Sequence, residues 1–555
     1  MFFTNFDKAT FLINDDSLLN MFIVDKNLVS GEQIVPYMSS ILGYLLNLLQ
    51  IKAELSISVY GIFLFITNLA ISFGTINFLN YTMNQISKLS IILFNLFTVP
   101  INILSPTFTI TSILATGTGI IGSILYFKFG RDNWFTYLFY FLIIVIGFLI
   151  RPEAFLGAMI LTTPVSLFIL MTNLEKKKIK KIMLSFLFLT FGLIIILEHW
   201  LSILAGKNNL ILEEFVKFNS MRSFLSYTPA FLKMQQEIIS GNIMQGIWTN
   251  VDFILLRDWA YADNSVYNSQ NLSKAISSLP SEFGISGLIN SEFGNVWERL
   301  YLETQSFHSI IFILILIAIL SNILARISRY QIVAILLLVL TYILAFYYLS
   351  ALLRLPARTI FPFILLPFLL FSLILNSDKI KYSKKVYTLF AIYLVLIGFI
   401  LSFFHLNNEF GFKKIRQQNE IKLINSKKRD AELMNFSNSA TYIGPVSFMP
   451  ISTDLAYSNN FNLFSNERSL PISWATFSPL WRSKAIKLNL DPDNVYNSLA
   501  TKEDVYWVSD SRIAEILDMY MNDHKIYRGK LCSVAKLSGP DQAEVFTYQA
   551  KENDC

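Results

Sequence analysis

Two neighbouring carboxylates, Asp15 and Asp16, are the first residues in the chain whose types and spacing suit chemistry. They follow Asn14 and stand just before an apolar patch of Leu18, Leu19, Met21 and Phe22. Paired acids can deprotonate an acceptor hydroxyl or bind a divalent cation through oxygen. Adjacent like charges also favour retention of one proton, which helps a general base. On spacing alone a helix N-cap is the plainer reading, since Asp ahead of an apolar run is a common start signal.

Three arginines form a second group. Arg151 opens the tight sequence Arg151-Pro152-Glu153, and Arg354 and Arg358 bracket a Leu-Arg-Leu-Pro-Ala-Arg stretch. A guanidinium offers paired hydrogen bonds to phosphate oxygens, so these positions suit the phosphate of a lipid-linked substrate; contact with lipid headgroups or with Glu153 is the plainer use. The third group mixes polar side chains with aromatic rings. It runs through Asn219 and Arg222, then Asp252, Arg257, Asp258, Trp259, Tyr261 and Asp263. Sugars stack their C–H faces on such rings, although Trp and Tyr are favoured at any membrane interface. Glu198-His199-Trp200 could face the same space, and a lone histidine there more often has a structural role.

The elements that must position these groups follow from composition. Of 555 residues, 54% are hydrophobic and only 15% charged, with a mean hydropathy of +0.49. A soluble domain carries about 25% charge, so a multi-domain soluble enzyme, a coiled coil and a disordered scaffold are excluded. What remains is an α-helical polytopic membrane protein. Apolar runs fall at about 55–79, 89–104, 108–127, 134–150, 154–172, 182–204, 307–325, 331–349, 359–376 and 386–404, which predicts about ten transmembrane helices. The shorter run 36–52 reads as an interfacial helix, with a re-entrant segment as the alternative.

Alternate connections between these spans carry 14 Lys and Arg on one side, and on the other only Arg151, Arg354 and Arg358. The basic side faces the cytoplasm. Segment 1–54, the loop 205–306 and the tail 405–555 then lie outside. An outside N-terminus requires either that residues 1–54 are translocated as a short tail or, the preferred reading, that the natural chain begins upstream with one more helix. No ionisable residue stands near the middle of a span, which counts against an ion-coupled carrier. Asn68, Asn77 and Asn95 are expected to bond between helices.

The tail, 405–555, changes composition and reads as a small C-terminal α/β domain. A strand is expected at 505–508, a helix capped by Ser509-Asp510-Ser511 through about Asn522, and strands at 525–537 and 543–549. Trp474, Trp481 and Tyr496 are expected in its core rather than on a glycan. Cys532 and Cys555 either pair in an oxidising compartment or remain two thiols. Neither they nor the four histidines have the spacing of a zinc site.

Taken together, Asn14-Asp15-Asp16, Ser30-Gly31-Glu32, Arg151, Asn219, Arg222, the Asp252–Trp259–Asp263 stretch and Arg358 resemble the GT-C superfamily of membrane glycosyltransferases and uncharacterised bacterial membrane proteins similar to them. The resemblance spans most of residues 11–360 and rests on short motifs. It implies a bacterial cytoplasmic membrane enzyme with an extracytoplasmic C-terminal domain. It further implies that a polyprenyl-phosphate-linked sugar is transferred to a glycan or lipid acceptor on the external face, with no nucleic acid involved. Asp15 or Asp16 would be the catalytic carboxylate. Arg151, Arg354 and Arg358 would hold donor phosphate, and Glu32, Asn219, Arg222, Asp252, Trp259 and Asp263 would line the substrate. A divalent cation is the one cofactor the acids suggest. A polymerase or ligase of lipid-linked glycans, or a non-enzymatic lipid-glycan transporter, are the rival readings.

Overall fold

The computed structural model describes residues 37–53, 58–81, 106–129, 134–173, 210–227, 248–277, 329–351, 428–437, 439–449, 468–538 and 544–551, with isolated positions that include Asp16, Leu19, Asn20, Ile23, Asn95, Leu366 and Cys555. The apolar runs form helices α1 (Ser40–Ala53), α2 (Val59–Tyr81), α3 (Phe108–Phe129), α4 (Trp134–Ile150) and α5 (Pro152–Asn173). Within α2, α3 and α5 lie three stretches long and apolar enough to cross a membrane, at Val59–Asn80, Phe108–Tyr126 and Pro152–Ile169. The expected spans 307–325 and 386–404 lie outside the described residues, and those at 89–104, 182–204 and 359–376 are represented by isolated helical positions.

Helix α3 is the axis of this helical part. Of its membrane-length window 94% is buried, against 39% for those of α2 and α5. Its sequence explains why: Thr, Ser, Ala and Gly alternate with Ile and Leu, and small residues let neighbouring backbones approach. A Cβ at Gly119 would stand 2.4 Å from Cγ1 of Ile144 and 2.8 Å from the carbonyl oxygen of Tyr140, so only glycine fits against α4 there. Polar side chains tie the bundle across its helices as expected. Asn68 donates to Oγ1 of Thr111 at 3.1 Å, Asn77 donates to the Tyr140 hydroxyl at 3.3 Å, and Thr75 donates to Oδ1 of Asn95 at 2.8 Å. Each such bond contributes about 0.6 kcal/mol in a bilayer.

Helix α1 has one buried and one exposed face. Leu42, Leu46, Asn47 and Gln50 are buried, while Tyr44, Leu45 and Leu49 are exposed. Oε1 of Gln50 accepts the Val59 N–H at 2.9 Å, and the Ser58 hydroxyl accepts that of Gly61 at 2.9 Å, so the first donors of α2 are satisfied.

Beyond α5 follow α6 (Leu210–Tyr227), α7 (Asn250–Arg257), α8 (Ser269–Ser277) and the apolar α9 (Arg329–Ala351). Glu214 of α6 accepts both the N–H and the hydroxyl of Ser269 at 2.8 Å, which locks α8 onto α6.

The C-terminal part contains β1 (Thr441–Pro445), β2 (Ser469–Ile472), α10 (Pro479–Lys487), α11 (Val495–Thr501), β3 (Val505–Ser509), α12 (Ser511–Asp523), β4 (Lys530–Ser538) and β5 (Glu544–Lys551). The sheet order is β2-β1-β3-β5-β4, with β1 parallel to β2 and β3 and the remaining pairs antiparallel. The expected strand–helix–strand–strand order is present, and Asp510 caps α12 by accepting the Ile513 N–H at 2.8 Å. The strand expected from 525 begins at Lys530, because 524–529 form the turn that ends α12. Strands β1 and β2 went unpredicted: they are only 5 and 4 residues long and wholly buried, so no alternation marks them. Trp474, Trp481 and Tyr496 are buried in the core, and Cys532 is disulfide-bonded to Cys555.

Candidate functional site

Asp16 is fully buried, and its Oδ1 accepts two hydrogen bonds, from the Tyr60 hydroxyl at 2.7 Å and from the backbone N–H of Phe108 at 2.9 Å. Phe108 begins α3, so this carboxylate caps a helix 92 residues away. The helix N-terminus orients it and favours its negative charge.

Arg151 reaches the same residue, Phe108. The proline at the first position of α5 fixes the chain turn just after it. Its guanidinium carbon lies 4.5 Å from the Phe108 ring centroid and 5.6 Å from that of Tyr37, and Nη1 donates to Oγ1 of Thr109. Glu153 is a looser neighbour, with 3.8 Å between Nε and Oε2. One residue, Phe108, therefore joins the acid to the arginine: its N–H binds Asp16 and its ring carries Arg151.

From Arg151 the contacts continue outward. The Tyr37 hydroxyl accepts a hydrogen bond from Nδ2 of Asn219. Oδ1 of Asn219 in turn accepts from Arg222, at 3.2 Å from Nε and 2.7 Å from Nη2. Three positions separate the two residues on α6, so they share a face of the helix. Arg222 is buried, with its guanidinium carbon 4.4 Å from the Trp259 ring centroid and 6.0 Å from that of Tyr261. No carboxylate pairs with it among the described residues, and its Nη1 meets no acceptor there.

Backbone strain collects at the same spot. Five described non-glycine residues have positive φ, and three of them are aromatic: Tyr37 (64°), Trp259 (58°) and Phe477 (70°). A bulky residue in this region costs about 1–3 kcal/mol and persists where surrounding contacts require it. Tyr37 and Trp259 hold Asn219, Arg151 and Arg222 as described, and the Phe477 ring packs 5.6 Å from Phe218, next to Asn219. Trp474 closes the group, its ring centroid 4.8 Å from that of Tyr37.

Asp252 and Asp263 have different surroundings. Asp252 is the third residue of α7 and completes a capping box with Thr249, while its Oδ1 lies 2.7 Å from Nε2 of His524. That hydrogen bond, opposed by burial, raises the His524 pKa above its ordinary value. Asp263 accepts from Asn494 at 2.8 Å and from the Tyr520 hydroxyl at 2.9 Å. Burial and this carboxylate push the Tyr520 phenol far upward. Asp258 adds a 2.6 Å ion pair with Arg512. The acidic side chains of 248–277 thus fasten that segment to the C-terminal domain, which brings Trp474 and Phe477 onto the site.

Of the sequence-chosen residues, Asp16, Arg151, Asn219, Arg222 and Trp259 come together, while Asp252 and Asp263 lie along the docking seam. Asp15, Glu32, Arg354 and Arg358 lie outside the described residues, as do Glu198, His199 and Trp200. Tyr37, Tyr60 and Phe108 were missed, because nothing in a lone aromatic reveals that it bridges distant polar groups. Among the described residues no three His, Cys, Asp or Glu side chains gather as metal ligands. No family model, curated protein or solved structure matches this chain.

Proposed function

We propose that this protein is a GT-C-type membrane glycosyltransferase, with about ten transmembrane helices, that moves a sugar from a polyprenyl-phosphate-linked donor to a glycan or lipid acceptor outside the bacterial cytoplasmic membrane. The observation that carries the reading is the meeting of Asp16 and Arg151 at Phe108, where α3 begins and α5 follows α4. An acid and a guanidinium at the end of an apolar bundle suit a substrate with a lipid tail and a charged head.

In this reaction the acceptor oxygen attacks the anomeric carbon as its proton passes to a carboxylate of the Asp15–Asp16 pair. The bond from that carbon to the phosphate oxygen breaks, and polyprenyl phosphate leaves with the electron pair. Arg151, joined by Arg354 and Arg358, neutralises the departing phosphate. A single displacement inverts the anomeric centre. The Cys532–Cys555 disulfide supports an extracytoplasmic C-terminal domain, since such bonds persist in oxidising compartments.

The test is release of polyprenyl phosphate from a panel of polyprenyl-phosphate sugars by the full chain in lipid nanodiscs. Asp15→Asn and Asp16→Asn are expected to abolish release by one or both at unchanged expression. Retention of full activity by both, with loss in Arg151→Ala, would point instead to a polymerase or ligase of lipid-linked glycans.

A further inference from the structure

We infer that the acceptor carries an oxyanion, a sugar carboxylate or a phosphate, and that Arg222 and Trp474 bind it. The inference rests on the transferase reading of this site and names its second substrate by chemical class. Two buried donors point to it. Nη1 of Arg222 and Nε1 of Trp474 are both enclosed, and neither meets an acceptor among the described residues. Arg222 is 2% exposed and Trp474 4%. Among the described residues this buried guanidinium is held by one amide oxygen and two aromatic faces, without the counter-charge that such a group requires.

The two donors belong to one cluster by two separate routes. Arg222 bonds Asn219, which bonds Tyr37, whose ring packs on Trp474. Arg222 also lies over Tyr261, whose hydroxyl donates to the carbonyl oxygen of Ser473 at 2.9 Å, next to Trp474. An oxyanion has acceptor lone pairs for both donors and supplies the missing negative charge. The faces of Trp259 and Tyr37 suit the C–H surface of a sugar ring bearing that anion.

Position separates this ligand from the lipid-linked donor. Arg151 stands at the junction of α4 and α5, at the end of the apolar bundle, whereas Arg222 stands on α6 against Trp259 and Tyr261 of the 248–277 segment, with Tyr37 and Asn219 between the two arginines. The headgroup of a lipid belongs at the first, and a group arriving from the aqueous side belongs at the second.

The test measures binding by thermal shift and calorimetry on the full chain in nanodiscs, without any polyprenyl donor. Glucuronate, glucose and inorganic phosphate are the probes. Glucuronate or phosphate is expected to raise Tm while glucose does not; the stronger of the two identifies the anion as carboxylate or phosphate. Arg222→Gln is expected to weaken anion binding about 10- to 100-fold, the range for a lost charge-assisted hydrogen bond. Its own Tm without ligand is expected to stay level or rise. Trp474→Phe keeps an aromatic ring, removes the Nε1 donor and is expected to weaken binding several-fold.

Equal shifts with glucose and both anions, undiminished anion binding in Arg222→Gln, or undiminished binding in Trp474→Phe should Arg222→Gln not fold, overturns the inference. Anion binding through Arg222 without any release of polyprenyl phosphate overturns the transferase reading alone. Release of polyprenyl phosphate with no anion binding overturns only this inference.

Discussion

Oδ1 of Asp16 accepts the backbone N–H of Phe108 at 2.9 Å, so one carboxylate both caps α3 and binds the residue whose ring carries Arg151. The two roles separate by substitution. Asn caps a helix about as well as Asp, whereas Ala loses about 1 kcal/mol or more. Asp16→Asn is therefore expected to keep Tm within a few degrees and lose transfer, and Asp16→Ala to lose both. An active Asp16→Asn chain reduces Asp16 to a cap and leaves Asp15 as the remaining acid.

Arg151→Lys is a second separation. Lysine keeps the charge but has no planar face to lie on Phe108 and no paired donors for a phosphate. Apparent affinity for the polyprenyl-phosphate sugar is expected to fall about 10- to 100-fold, the cost of a charge-assisted hydrogen bond. Steady-state kinetics with varied donor reads this, and an unchanged KM in Arg151→Lys removes the phosphate-binding role.

The Asp252–His524 contact makes docking of the C-terminal domain sensitive to pH. Hydrogen bonding to Asp252 holds the His524 pKa above its ordinary value, against burial, with Asp263 and Asp523 adding in the same direction. A histidine raised in the folded state contributes its full stability below the unfolded pKa, about 6.5, and loses it as pH rises through the folded value. Tm is expected to fall from pH 6 to pH 8 in the native chain and to fall less in His524→Gln. Identical slopes for the two chains would show that another group controls the response.

The disulfide closes a sequence separation of 23 residues between Cys532 on β4 and Cys555. A loop of that length restricts the unfolded chain by about 3 kcal/mol. Cys555→Ser is expected to lower the Tm of the C-terminal domain, and a reducing agent should reproduce the loss in the native chain. Insensitivity to both contradicts the bond.

Gly444 tests the sheet. A Cβ there would come 2.2 Å from the carbonyl oxygen of Val508, a backbone atom of the neighbouring strand that no rotamer change can move. Gly444→Ala is expected to cost about 1–3 kcal/mol, as overpacking does. Denaturation followed by tryptophan fluorescence measures it, since Trp507 is buried on the adjoining strand.

Sequence alone determined what depends on short stretches of chain. Long apolar runs mark α2, α3 and α5 because a bilayer requires length and apolarity, both of which are local. The order β3, α12, β4 and β5 is equally local: an Asp cap, a helical stretch and strand-forming runs follow one another in the sequence. Asn68 and Asn77 were legible as interhelical bonds because a polar amide in an apolar span needs a partner.

Tertiary structure decided who those partners are, and in the site that choice is everything. Asp16 with Phe108, Tyr37 with Asn219 and Asp252 with His524 are joined across 92, 182 and 272 positions. Residue type tells which groups must be satisfied, while distance along the chain carries no information about which will meet. Hence the acids and arginines could be chosen from sequence, but not that Asp16 and Arg151 share Phe108. Nor could it show that Asp252 and Asp263 hold the C-terminal domain in place while Arg222 is left with a donor to offer.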